Sequence, residues 1–226
     1  MATPELASAT WPETAGDLRT LVVPVGSLEQ HGPHLPLDTD TQIAVALARE
    51  IAELRGDVVV APAVPYGASG EHEGFPGTVS VGRDALALYL LEFVRSASAT
   101  YRRILFVNGH GGNAEPLGRT AERSRYEGRD ARCWTPRVSG GDLHAGRVET
   151  SLMLALQPET VRLSRVAAGA TTPPAQLWPR LRQDGVRAVS ESGVLGDPTG
   201  ASAEEGWTLY ATLVNDLDLF IRSWPA

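Results

Sequence analysis

The chain of 226 residues holds a single cysteine, Cys133. An internal disulfide framework is thereby excluded, and a reducing cytosol suits the composition. Cys133 itself reads as a small apolar residue of a strand. Basic clusters are also missing. Twenty Lys and Arg against 27 Asp and Glu leave a net charge of −7, with no electrostatic footprint for nucleic acid or an anionic membrane. No apolar run approaches the roughly 18–20 residues that span a bilayer. The stretch from Met1 to Gly16 has neither a basic start nor an apolar core, so it is not read as a secretory leader. These absences point to a cytoplasmic protein. Its hydrophobic content of 42% suffices for one domain over residues 1–226 with a substantial core.

What is present alternates short apolar runs with helical periods. Leu21 to Val25, Val58 to Ala61, Ile104 to Val107 and Ala131 to Trp134 read as strands. Ile43, Leu47, Ile51 and Leu54 mark one face of a helix, with Thr39 and Gln42 spaced as a capping box. Further helices are expected over Asp84 to Ala99, Ala114 to Tyr126, through Val148, Leu152, Met153 and Leu156, and from about Ala203. The last should bury Trp207, Tyr210, Leu213, Leu217, Phe220 and Ile221. Such alternation with uninterrupted apolar strands predicts an α/β layered sandwich, a largely parallel central sheet flanked by helices. Residues 169–198 are the least regular, rich in Pro and Gly, and suggest an excursion that forms a lid or a subunit contact.

Histidine is scarce: His31, His34, His72, His110 and His144 are the whole set. Each falls in a Gly- or acid-rich segment at an element boundary, where a lone histidine is ordinarily a surface residue; five of five is a pattern. Glu29 and His31 leave the carboxyl end of the first strand, where open α/β sheets bind ligands. Two apart in extended chain, they project to one side. Asp40 returns at the start of the next helix, either as a carboxylate favoured by the helix dipole or as the third member of a ligand set suited to zinc, iron or manganese. His110, in Asn108-Gly109-His110-Gly111-Gly112-Asn113, follows another strand and could face the first pair. A phosphate-cradling loop fits these glycines poorly, since neither Lys-Ser/Thr nor G-x-G-x-x-G is present. Glu149, in His144-Ala145-Gly146-Arg147-Val148-Glu149, is either a helix-start carboxylate or a ligand.

Together, Glu29-Gln30-His31-Gly32-Pro33-His34-Leu35-Pro36, Asp40, the Asn108–Asn113 loop and His144-Ala145-Gly146-x-x-Glu149-Thr150-Ser151 resemble the creatininase family of metal-dependent amidohydrolases. The resemblance implies two divalent metal ions per subunit (Zn²⁺, Fe²⁺ or Mn²⁺) and a homo-oligomer, often a hexamer. By the same resemblance Glu29, Asp40 and His110 hold one ion, and His31 with the second oxygen of Asp40 holds the other. Creatininase itself carries a further Glu where this chain has Gly112, which argues against creatinine as substrate; Glu149 is the candidate to fill that place. Tyr66 to Thr78, Leu181 to Ser190 and Ser192 to Ala201 are similar to family members that mature a radical-modified precursor peptide. Such enzymes hydrolyse the amide bond before a cross-linked C-terminal Val-Tyr unit.

Amide hydrolysis also needs a proton delivered to the leaving nitrogen, a task for His144, since histidine titrates near neutral pH. His72 and Glu73 are candidates for substrate contact, or a solvated turn. His34 is expected to anchor its turn or a ligand, and Asp38 to orient His31 or cap the helix. Two other readings stand beside the peptidase: a family amidohydrolase acting on a small cyclic amide or formamide in a narrow closed pocket, and a metal-binding scaffold without turnover.

Overall fold

The computed structural model describes residues 5–15 and 19–224. Residues 1–4 and 16, part of the stretch read for a leader, lie outside them. Four strands form one sheet: β1 (Thr20–Val25), β2 (Val58–Val60), β3 (Arg103–Asn108) and β4 (Asp130–Trp134). Every pairing is parallel, in the order β2-β1-β3-β4. Six α-helices accompany them among the described residues: α1 (Thr39–Leu54), α2 (Arg83–Ala97), α3 (Ala114–Tyr126), α4 (Arg147–Leu156), α5 (Pro174–Asp184) and α6 (Ala203–Arg222).

The central stretches of the inner strands are apolar because both faces of the sheet are covered, and the pleat deals the apolar side chains alternately to two cores. Polar residues fall at strand ends (Arg103, Asn108) or in the edge strand β4 (Asp130, Arg132). Leu21, Val23, Val25, Ile104 and Phe106 face Leu86, Leu90 and Val94 of α2 and Leu117 of α3. Val22, Leu105 and Val107 face Ile43, Leu47 and Ile51 of α1, Met153 of α4, and Leu213, Leu217 and Ile221 of α6. The result is a three-layer sandwich.

Several local expectations shift. The N-cap of α1 is Asp38 rather than Thr39, and its carboxylate makes no capping bond. Instead Gln42 Nε2 donates to Asp38 Oδ1 at 2.6 Å, and Thr39 Oγ1 turns back to Pro36 O at 2.7 Å. Trp207 is 53% exposed rather than buried, lying edge-on to Tyr210, whose hydroxyl donates to Ala46 O. Leu88 and Tyr89 of α2 are exposed as well. Cys133 is half-buried at the margin of the α2–α3 core. Residues 169–198 are more regular than their composition suggests. They contain α5, which builds a small core of its own from Leu177, Leu181, Val186 and Leu195. No helix among the described residues is long and apolar enough to cross a membrane.

Candidate active site

After β1 the chain moves outward to β2 on one side, whereas β3 lies on the other side of β1. The connections therefore diverge between β1 and β3, and the crevice at their carboxyl ends is where such sheets bind ligands. Glu29 and His31 arrive there from β1, and His110 from β3. Asp40, in the first turn of α1, completes the approach: His31 Nε2 lies 3.1 Å from Asp40 Oδ1 and His110 Nδ1 lies 3.4 Å from Asp40 Oδ2. Glu29 Oε1 is 3.1 Å from His110 Nδ1. Glu149 reaches in from α4, its Oε2 4.0 Å from His31 Nε2, while the same oxygen accepts from Ala145 N at 2.6 Å. Glu149 therefore accepts a main-chain hydrogen bond at the helix start and also faces His31. Ala145, with φ of 51°, is the one non-glycine at positive φ among the described residues. That strained position turns the main chain between His144 and α4.

The structure thus gathers Glu29, His31, Asp40, His110, Glu149, His72 and His144 in one place. Three groups offer ligand atoms within 4.8 Å of one another: Glu29, His31 and Asp40; His31, His144 and Glu149; and Glu29, His72 and His144. His72 sits deeper than a substrate-contacting turn would require, buried and 3.4 Å from Glu29 Oε1. Glu73 is exposed on the cavity wall. His34 stays out of the centre, where its Nε2 meets Thr150 Oγ1 at 2.9 Å and its main-chain oxygen accepts from Arg162 N. Asp38 likewise takes no part.

Three residues that sequence reading passed over belong here. Ser27 Oγ donates to Asp40 Oδ2 at 2.6 Å. Gln30 lies between His72 and His144. Glu71 places Oε1 3.5 Å from His110 Nε2, on the far side of the ring from Glu29. The departure at Gly112 has its explanation in the same spot: a Cβ there would stand 2.4 Å from Ala68 O and from His110 Nε2, and 2.5 Å from Glu71 Oε1. The room that a side chain at 112 would need is already filled by Glu71 and the His110 ring.

The electrostatics of the centre follow from its burial. Neither carboxylate oxygen of fully buried Glu29 has an aligned hydrogen-bond donor among the described residues, and a buried uncompensated carboxylate costs several kcal/mol. In the protein alone, histidine protons supply the missing charge. Burial works against a charged His31, but Asp40 above all holds its pKa up at about 10. His110 is raised in the same way, burial being outweighed by Glu29 and Asp40. Burial would raise Glu29 too, yet the His110 charge keeps it down at about 2. Glu149 is pushed up to about 7, mainly by burial. His72, lowered by burial to about 4, and His144, lowered by burial and by the His31 charge, stay neutral. Orphaned carboxylate oxygens, imidazole nitrogens at coordinating separations and a demand for positive charge fit a divalent cation.

Comparison with known proteins agrees. The family model for creatinine amidohydrolase matches residues 7–221.

The chain belongs to the creatininase family.

Among family relatives, it is 55% identical over 210 residues to the mycofactocin precursor peptide peptidase of Mycolicibacterium smegmatis, covering 90% of this chain and 85% of that one. It is 33% identical over 250 residues to the creatinine amidohydrolase of Pseudomonas putida, with 94% of each chain covered. The solved structure described as creatininase Mn superposes with a TM-score of 0.81 at 29% identity, over 99% of this chain and all of that one. The expected layered α/β fold of this creatininase-family chain is therefore the observed one.

Proposed function

We propose that residues 1–226 form a single creatininase-like metallohydrolase domain that hydrolyses the amide bond before the cross-linked C-terminal Val-Tyr unit of the modified mycofactocin precursor peptide. The observation that carries this reading is the 55% identity to a peptidase of that name over 90% of the chain. The geometry favours a peptide over a small cyclic amide: the centre opens into a groove of about 1250 Å³, walled by His72, His110, His144 and Glu149 and by Trp178, Leu181 and Arg182 of α5. A narrow closed pocket would suit a ring amide, whereas a peptide terminus needs such a channel. A scaffold role without turnover is disfavoured, because all five candidate positions keep metal-binding chemistry.

In this reading Glu29, Asp40 and His110 hold one divalent ion and His31, Asp40 and Glu149 the other, with zinc, iron(II) and manganese all suited to mixed oxygen and nitrogen ligands. Bound there, the ions supply an activated water and polarise the scissile carbonyl. His144, buried at the groove wall, takes the proton of the attacking water and passes it to the leaving amide nitrogen. The enzyme acts as a cytoplasmic homo-oligomer, a hexamer by analogy with its family.

Mass spectrometry of the modified precursor peptide after incubation with metal-loaded enzyme tests the reading. Loss of the Val-Tyr unit, abolished by a chelator, is the expected result. An intact peptide beside demonstrably bound metal would remove the substrate assignment.

A further inference from the structure

The hydrogen bonds of Gln30 determine where two groove-lining histidines keep their protons. Gly32 N is a donor and lies 2.8 Å from Gln30 Oε1, which orients the amide with its NH₂ on the other side. That NH₂ has two hydrogens. One goes to Gly193 O at 3.2 Å, a carbonyl that only accepts. The other reaches His72 Nδ1 at 2.9 Å, so this nitrogen carries the lone pair and the ring proton sits on Nε2. His144 Nε2 stands 3.0 Å from the same amide nitrogen but 2.7 Å from the Gln30 main-chain oxygen. The carbonyl requires a donor, so His144 Nε2 is protonated and its lone pair is on Nδ1.

Gln30 is clamped in this pose. Its main-chain nitrogen donates to Thr78 Oγ1 at 3.1 Å. Gly193, with φ of 82°, presses so close that a Cβ there would lie 1.9 Å from Gln30 Oε1. The unanchored edges of both rings point at the centre: His72 Nε2 lies 3.4 Å and His144 Nδ1 3.8 Å from Glu29 Oε1.

We propose that Gln30 is a positioning residue that sets the two histidines to opposite tasks, His72 as an N–H donor and His144 as a proton acceptor. For the identity of the reacting bond this rests on the peptidase reading. As water adds to the scissile carbonyl, one water proton moves to His144 Nδ1, and the carbonyl oxygen gains the electron pair of the broken π bond. His72 Nε2–H donates to that oxygen. Collapse of the tetrahedral carbon then breaks the C–N bond, and His144 returns the proton to the departing nitrogen, leaving a carboxylic acid and an amine. His72 is in this account no metal ligand, although its nitrogen lies among possible ligand atoms.

The test uses zinc-loaded full-length protein. His72→Ala should keep the wild-type metal stoichiometry and lose about 10²–10³-fold in kcat, the usual effect of removing one oxyanion donor. His72→Gln, which keeps an N–H, should recover most of that loss. Loss of a metal equivalent in His72→Ala, or equal kcat for the Ala and Gln variants, would overturn the proposal. Nitrogen-15 spectra of histidine-labelled wild-type enzyme should show His72 bare at Nδ1 and protonated at Nε2. Gln30→Glu, which puts acceptor oxygens where the NH₂ was, should reverse that pattern with metal retained. A wild-type His72 protonated at Nδ1 refutes the tautomer assignment whether or not peptide is cleaved. The expected spectrum with no peptide cleavage would support the assignment and refute the peptidase reading instead.

Discussion

Glu29 and Asp40 are carboxylates that the fold removes from water and then surrounds with imidazoles. Without metal, His31 and His110 meet that charge by holding protons, and a proton so held must leave before its nitrogen can ligate. Metal affinity should therefore fall as pH drops, by up to about one logarithmic unit per pH unit for each imidazole that must deprotonate. Competition with a chromophoric chelator between pH 8 and pH 6 measures this, and a flat profile would remove His31 and His110 from the ligand set. Glu71 Oε1 stands 3.5 Å behind His110 Nε2, which also meets Ala68 O at 3.2 Å. Glu71→Gln is expected to weaken metal binding about 10- to 100-fold with the fold unchanged. The gathered acids and histidines were legible in sequence because histidine is rare here and each one sits beside glycine or acid at a strand end. Glu71, Gln30 and Ser27 were not. Their roles arise when separate loops pack together, and a glutamate next to a histidine in a glycine-rich turn looks the same in sequence whether it faces solvent or the back of an imidazole.

At the scale of elements, the four strands could be read directly, because each carries a short run that is mainly apolar. Polar residues are confined to strand ends or, as with Arg132, to the edge strand β4. Helix ends were less legible. Asp38, Thr39 and Gln42 all carry capping chemistry, and local spacing does not reveal which oxygen meets which donor. Trp207 is exposed, against expectation, because α6 is apolar over more than the face it buries. Phe106 of β3 illustrates what holds these elements together: 1% exposed and 6.2 Å from the Phe93 ring, it joins the sheet to α2. Phe106→Ala should cost about 3–5 kcal/mol of stability through lost transfer energy and a residual cavity. Urea unfolding checks this; a loss below about 1 kcal/mol would show that α2 collapses onto the gap.

For the molecule as a whole, the sheet order decides where chemistry happens, since the divergence between β1 and β3 brings three distant segments to one crevice. Sequence supplied the segments, and topology supplied their meeting point. Its outer surface is uneven. Tyr66, Val79, Val81, Leu88 and Tyr89 are all more than 40% exposed, and Val81 N is tied to Gly67 O beside Tyr66. Leu88 and Tyr89, adjacent on α2, are the large exposed apolar pair of that helix and suit a subunit interface. Light scattering is expected to give an oligomeric mass that falls in a Leu88→Glu, Tyr89→Glu double variant. An unchanged mass would place the contact elsewhere.

The separate small core beneath α5 has a thermodynamic consequence. Leu177, Leu181, Val186 and Leu195 belong to neither of the large clusters beside the sheet, so opening of α5 is expected to leave those clusters packed. Amide hydrogens of α5 should exchange with deuterium through partial openings that cost far less than global unfolding, while those of β1 and β3 wait for the whole molecule to open. Because α5 supplies a wall of the groove, a bound chain end is expected to hold it in place. A substrate mimic that slows α5 exchange and leaves β3 unaffected would make that breathing visible.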